Sequence, residues 1–153
     1  WLSQVPGSDM AITFLGTGSC MPSTTRGASS LALKMELNRM GHIMLFDCGE
    51  GTQLAFQKSS LHLKQIRQIF ITHLHGDHIY GLCGILTMLA LARQRQEDAY
   101  LAMKHPDSTE GVIDVYGPEG LRVFIRTVLK MTHTRVKTKF RIHELKDIPY
   151  LHS

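Results

Sequence analysis

Four side chains able to bind a divalent cation fall within six residues, His73-Leu74-His75-Gly76-Asp77-His78, directly behind the apolar run Ile69-Phe70-Ile71-Thr72. That run reads as a buried strand, Ile66 to Thr72 in full, and no Lys or Arg occurs between Ile69 and Ala92 to neutralise or pair with the cluster. A single His on an apolar strand is ordinarily a hydrogen-bonded core residue. Three His and an Asp at the end of a buried strand, left unpaired, would be costly to desolvate. Imidazole nitrogen and carboxylate oxygen are instead the groups that Zn²⁺ and similar ions accept, at roughly 2.0–2.2 Å for zinc. In extended chain His73 and His75 project to the same side, because side chains alternate with a period of two, and so can reach one ion. Gly76 breaks the strand. Asp77 and His78, adjacent at the start of a predicted helix, point elsewhere and suit a second ion.

With 153 residues, 43% of them hydrophobic, the chain has the size and apolar content of one ordinary globular domain. Cys20, Cys48 and Cys83 are an odd number, widely spaced and without a C-x-x-C pair. That pattern argues against a disulfide framework and for a reducing compartment, cytoplasmic by default with the nucleus also open. The longest uncharged apolar stretch, Gly81 to Ala92, falls short of the about 20 residues that span a bilayer, so no membrane role is expected. The chain opens at Trp1 rather than Met, and residues 1–9 read as a flexible lead-in to a fragment.

Seventeen Lys and Arg against thirteen Asp and Glu leave a net charge of +4, concentrated late in the chain. Arg122, Arg126 and Lys130 recur every four residues, on one helical face. Arg135, Lys137, Lys139 and Arg141 alternate with Val136, Thr138, Phe140 and Ile142, as a strand with one basic face would. A solvated face is the ordinary reading of such a run, and phosphate binding is the functional one.

The remaining pattern predicts strands over Ala11 to Leu15, Ser30 to Met35, His42 to Asp47 and Val112 to Tyr116, the second and third forming a hairpin. Helices are predicted after Asp47-Cys48-Gly49-Glu50-Gly51, capped by Thr52, from Ile79 to Arg95, and from Gly117-Pro118-Glu119-Gly120 to about Met131. Strands first, then strand and helix in alternation, indicate a layered α/β arrangement. Each expected ion has only two ligands, whereas catalytic zinc takes three or more protein ligands. His62, His105, His133, His143 and His152 lie outside any ligand motif, so the missing ligands are expected beyond Ser153.

Phe14-Leu15-Gly16-Thr17-Gly18-Ser19, Arg26-Gly27-Ala28-Ser29-Ser30, Leu45-Phe46-Asp47-Cys48-Gly49-Glu50-Gly51-Thr52-Gln53, the block Ile69 to His78 and Tyr116-Gly117-Pro118-Glu119-Gly120-Leu121 follow one another in an order with a known counterpart. They resemble the N-terminal half of tRNase Z, the zinc endonuclease of the metallo-β-lactamase superfamily, in the manner of its short eukaryotic form. The His73 to His78 hexapeptide alone would indicate only the superfamily; the block around Asp47 makes the resemblance specific. It implies an αββα sandwich of which residues 1–153 are the N-terminal portion, two zinc ions, 3′ processing of precursor tRNA by phosphodiester hydrolysis, and a homodimer. By the same resemblance His73 and His75 ligate the first zinc, Asp77 and His78 the second, and Asp77 also accepts a proton.

Asp47, at the end of the neighbouring strand, is expected either to receive an imidazole N–H from a ligand His or to cap the following turn. Gly16-Thr17-Gly18 is a turn and not a dinucleotide fingerprint, since Met21 stands where a third Gly is required. Pro22-Ser23-Thr24-Thr25-Arg26-Gly27 falls where many bacterial relatives carry Pro-x-Lys-x-Arg-Asn. Thr24 and Gly27 depart from that pattern, so its handling of CCA ends does not transfer, but Arg26 remains a candidate phosphate contact. Lys137 and Lys139 are candidate tRNA contacts. Two other readings are a hydrolase of the same fold acting on a small phosphodiester or ester, and a non-catalytic module. The intact His73 to His78 motif speaks against the last for the parent protein, although this chain by itself is expected to be inactive.

Overall fold

The structure, a computed structural model, describes residues 10–37, 40–101, 112–134 and 139–146. Residues 1–9 and Arg135, Val136, Lys137 and Thr138, the expected lead-in and half of the expected basic strand, lie outside the described residues. Six strands form one sheet in sequential order: β1 (Met10–Gly16), β2 (Ser30–Leu37), β3 (Met40–Phe46), β4 (Ile66–Phe70), β5 (Ile113–Pro118) and β6 (Phe140–Leu145). β1, β2 and β3 are antiparallel, with β2 and β3 forming the expected hairpin, and β3 to β6 run parallel. Each strand after β3 is reached through a helix, the kind of crossover a parallel pair requires.

Those helices are α1 (Thr52–Lys58), α2 (Gly76–Ile79), α3 (Leu82–Leu101) and α4 (Leu121–Met131). Leu82, Ile85, Leu86 and Leu89 are fully buried at the spacing that places them on one helical stripe. They pack with Phe56, Leu121 and Ile125 against Ile43, Leu45, Ile66, Ile69, Ile113 and Val115 of the sheet. On β2 the residues in this core are Ser30 and Ala32. Leu31, Leu33 and Met35 alternate with them and so lie on the opposite face.

That opposite face carries no helix among the described residues; it is aromatic in one row and largely polar in the next, Met44, Gln68, Asp114 and Arg141. Phe46, Phe70, Tyr116 and His143 occupy one register row across β3 to β6. Their rings stack in series at centroid distances of 5.1, 5.0 and 4.5 Å. At the β1 end Met10, Ile12 and Phe14 are 52%, 61% and 69% exposed. The exposed apolar side chains at the β1 end of that face suit a covering layer.

Several local expectations shift. Thr52 does not cap α1: Gly51 takes the cap position in left-handed geometry, φ 85°, and the Thr52 hydroxyl donates to the Gly49 carbonyl at 2.7 Å. The predicted helix from Ile79 is two helices. Gly81 N–H donates to the Cys48 carbonyl at 2.8 Å, which ties the α2–α3 junction to the end of β3. β4 ends at Phe70 rather than Thr72; Ile71 N–H still reaches the Tyr116 carbonyl, but Thr72 N–H turns to the Asp47 carboxylate.

The basic faces are also smaller than the sequence pattern indicates. Arg141 is turned to Asp114, with Nε and Nη2 donating to its two carboxylate oxygens at 2.8 and 3.0 Å. His143 Nε2 lies 2.8 Å from the same carboxylate. Burial pushes the Asp114 carboxyl up, but these hydrogen bonds and charges outweigh it and leave the group below the usual range. Arg122, although exposed, donates to the Ile142 carbonyl at 2.6 Å and lies 3.6 Å from Glu144; Arg126 and Lys130 are exposed on the same α4 face.

Glu144 reaches from β6 to the start of α4, whose cap residue Gly120 has no side chain to offer. Its Oε1 accepts from Arg122 N–H at 2.9 Å and Gly120 N–H at 3.0 Å, satisfying donors that the first turn of a helix leaves open. The Arg122 N–H foremost, then Gly120 N–H and the Arg122 and Lys146 charges, hold the Glu144 carboxyl below the usual glutamate range. A carboxyl with a depressed folded-state pKa stabilises above its unfolded value and loses that contribution as pH falls through the folded one. Glu144→Gln is therefore expected to lower Tm at pH 7. The difference from wild type should close in acid, once Glu144 is itself protonated; thermal melts across pH 2–7 read this directly, and a constant difference would refute it.

Candidate metal centre

The His73 to His78 segment emerges from the carboxyl end of β4, in the middle of the parallel strands, where an open α/β sheet presents its loops. His73 Nε2 and His75 Nδ1 approach to 3.1 Å, with ring centroids 4.6 Å apart. The expected same-side projection is thus present. His78 Nε2 lies 3.5 Å from Asp77 Oδ2, and the His78 ring is 4.0 Å from that of His73. The four side chains therefore form two adjoining pairs, each bringing two ligand atoms together. Among the described residues, no group of three or more His, Cys, Asp or Glu is arranged to hold one ion.

Asp47 stands behind both pairs. It is 6% exposed and adopts φ +56°, a left-handed conformation that Asp tolerates better than most residues. Its Oδ2 lies 2.8 Å from His78 Nδ1, so the N–H of that ring is directed to Asp47 and Nε2 is turned to Asp77. Its Oδ1 accepts from Thr72 N–H at 2.8 Å. The partners of the Asp47 carboxylate are Thr72 and His78, and the turn at Gly49 is closed by the Thr52 hydroxyl.

The Cys48-Gly49 step fixes how closely the two segments approach. Cys48 N–H donates to the His78 carbonyl at 2.7 Å and Gly49 N–H to the Ser29 carbonyl at 2.9 Å. A Cβ at Gly49 would lie 2.1 Å from the Asp77 carbonyl oxygen and 2.7 Å from the Ala28 side chain. Only glycine admits that contact. Cys48 is fully buried, and burial, with the charge of Asp47 next, pushes its thiol far above the ordinary range. It fills space and is not a nucleophile.

The Gly16–Gly27 loop supplies the near wall. Thr17 and Gly18 N–H both donate to the Gly27 carbonyl. Cys20, exposed and at φ +65°, donates its backbone N–H to Asp77 Oδ2 at 2.8 Å. That bond above all, with the His78 and His75 rings adding, holds the Asp77 carboxyl below its usual range despite a smaller opposing effect of burial. Arg26 is exposed, its guanidinium 3.3 Å from the Thr17 hydroxyl on the same loop. Lys139 is exposed just before β6, and Lys137 lies outside the described residues. Sequence reasoning missed Thr72, whose hydroxyl sits between Asp47 and His73, and the backbone of Cys20; the one available signal was a hydroxyl residue abutting the first His.

Comparison with known proteins places this geometry. The family model described as "Anti-Pycsar protein Apyc1" matches residues 10–108. Zinc phosphodiesterase ELAC protein 1 of Bos taurus is 46% identical over 136 residues, which are 89% of this chain and 33% of that protein. The crystal structure of human tRNase Z, short form, superposes with a TM-score of 0.70 at 41% identity, over 92% of this chain and 45% of that one. The metallo-β-lactamase-fold protein YhfI of Bacillus subtilis shares the fold at a TM-score of 0.55 and 17% identity, over 94% and 50%. The chain thus spans about a third of the length of the curated relatives it matches. It belongs to the family described as anti-Pycsar protein Apyc1, has the α/β metallo-β-lactamase fold, and within that fold matches part of tRNase Z.

Proposed function

We propose that the complete protein carrying this chain is a zinc-dependent endoribonuclease that removes the 3′ trailer from precursor tRNA by phosphodiester hydrolysis. The carrying observation is the pairing of His73 with His75 and of Asp77 with His78 around one shared anchor, Asp47. The 46% identity to a zinc phosphodiesterase and the superposition on a tRNase Z support this reading.

The donor set suits zinc: three imidazoles and a carboxylate, with the His78 N–H directed away from the site. His73 and His75 would hold one ion, and Asp77 and His78 the other. Remaining ligands come from the rest of the protein, of which residues 1–153 are the N-terminal portion of one domain. Its second layer covers the sheet face bearing Phe46, Phe70, Tyr116 and His143 to complete the αββα sandwich. When bound, a zinc pair supplies Lewis acidity at phosphorus and acidifies water at neutral pH. Asp77, kept ionised by the Cys20 N–H, accepts the proton of the attacking water. Arg26, on the loop that touches Asp77, and Lys139 with Lys137 contact tRNA phosphates. The protein acts as a homodimer in the cytoplasm, with the nucleus a second compartment.

Zinc analysis together with a precursor-tRNA cleavage assay on the complete protein tests this reading. Two zinc ions and a single 3′-trimmed product are expected. A second reading is a hydrolase of a small phosphodiester or ester, with which the name zinc phosphodiesterase is equally compatible. Inert precursor tRNA beside turnover of a small diester would select it. For the RNA contacts, Lys139→Glu is expected to weaken tRNA binding and to reduce the salt slope of log K by about 1. An unchanged slope, measured by filter binding over a salt series, would remove Lys139 from the interface.

A further inference from the structure

We infer that the Thr72 hydroxyl is a positioning group that fixes the tautomer of His73 and ties the His73–His75 pair to the carboxylate that orients His78. The inference rests on the metal reading above. Thr72 Oγ1 lies 3.0 and 2.9 Å from the two oxygens of Asp47 and 3.0 Å from His73 Nδ1. The hydroxyl has one hydrogen, and a carboxylate has none. Were that hydrogen directed at His73, the oxygen lone pairs would face two carboxylate oxygens with nothing between them. The hydrogen therefore points to Asp47, a lone pair points to His73, and His73 Nδ1 carries the ring proton.

The consequence falls on the far side of the ring. With its proton on Nδ1, His73 presents an Nε2 lone pair, the atom that approaches His75 Nδ1 at 3.1 Å. His78 is set the same way by Asp47 directly, Nδ1 inward and Nε2 toward Asp77. One carboxylate thus orients an imidazole in each pair, the first through a hydroxyl and the second by contact. The Thr72 backbone adds rigidity, because its N–H is anchored on the same carboxylate at 2.8 Å. A serine keeps the hydroxyl relay, whereas an isosteric valine removes it and retains the shape.

The full-length protein provides the test, read by chelator competition for each zinc and by long-range ¹⁵N–¹H NMR of the His73 ring. Wild type is expected to hold two zinc ions and, once these are removed, to show the His73 proton on Nδ1, the state in which every tautomer comparison is made. Thr72→Val should weaken one of the two ions by about 10- to 100-fold and populate the Nε2–H form of His73. Thr72→Ser should restore both readouts. Three results would overturn the inference alone: a wild-type His73 protonated on Nε2, Thr72→Val with two ions held as tightly as in wild type, or Thr72→Ser as weak as Thr72→Val. The wild-type tautomer decides even if the valine variant fails to fold. Absence of zinc from the wild type would instead overturn the metal reading, and this inference with it.

Discussion

Asp77→Ala in the complete protein is expected to lower kcat for precursor-tRNA cleavage by about 1,000-fold or more, the scale of losing a general base, with loss of a zinc ligand adding to it. The fold should survive. The Asp77 side chain accepts backbone hydrogen bonds from Cys20, in an exposed loop, and from its own N–H, and supports no core packing. Asp77→Asn separates the contributions: an amide oxygen still accepts from Cys20 but takes no proton at neutral pH. Single-turnover kinetics with zinc content measured on the same samples decide the matter. Asp77→Asn with two zinc ions and cleavage within tenfold of wild type would remove the proton-acceptor role.

Asp47→Ala is expected to be the most destabilising change in the site, by about 3 kcal/mol, as hydrogen bonds to a charged partner are lost. Thr72 N–H, the Thr72 hydroxyl and the His78 ring all lose their acceptor together. Alanine also tolerates φ +56° less well than Asp. Zinc affinity should fall by roughly 10- to 100-fold. Asp47→Asn separates stability from orientation. Asparagine accepts the left-handed backbone and can still receive the Thr72 N–H. Its amide N–H would meet the His78 N–H head on, forcing His78 into the other tautomer and withdrawing its Nε2 lone pair. Expected, then, is a near-native denaturation midpoint with weakened zinc. Near-native zinc affinity in both variants would show that Asp47 only shapes the turn.

How much of the site was legible depended on sequence distance. His73, His75, Asp77 and His78 are contiguous, so period-two projection and a glycine break sufficed to sort them into two pairs, and the structure brings the atoms of each pair within 3.1 and 3.5 Å. Asp47 is 31 residues from His78, and its position could be guessed only from the end of a neighbouring strand. The choice between capping a turn and holding a ring needed the distance itself. Cys20 is 57 residues from Asp77 and acts through its backbone N–H, which every residue but proline possesses and which no side-chain pattern signals.

The fold divides similarly. Strand and helix positions follow local periodicity, and the α3 stripe is an instance. The charge pattern misled for the opposite reason: Arg122 and Arg141 look like members of basic faces until Glu144 and Asp114 are seen to face them. On β2, alternation marked Leu31, Leu33 and Met35 as one face, yet the helix-covered side proved to be that of Ser30 and Ala32. The small side chains of Ser30 and Ala32 leave room for the helices against that side, so the covered face had to come from the neighbouring strands.

By itself the sequence determined that four side chains of the kind a cation accepts are bunched together, that they stand at the end of a buried strand, and the order of strands and helices, because each of these is set by chemistry within a few residues. Tertiary structure alone decided which nitrogen of His78 faces inward, how Thr72 and Cys20 enter the site, and which arginines are already neutralised. Those outcomes depend on hydrogen bonds of fixed length and direction between segments that meet only when β3, β4 and the Gly16–Gly27 loop are packed together.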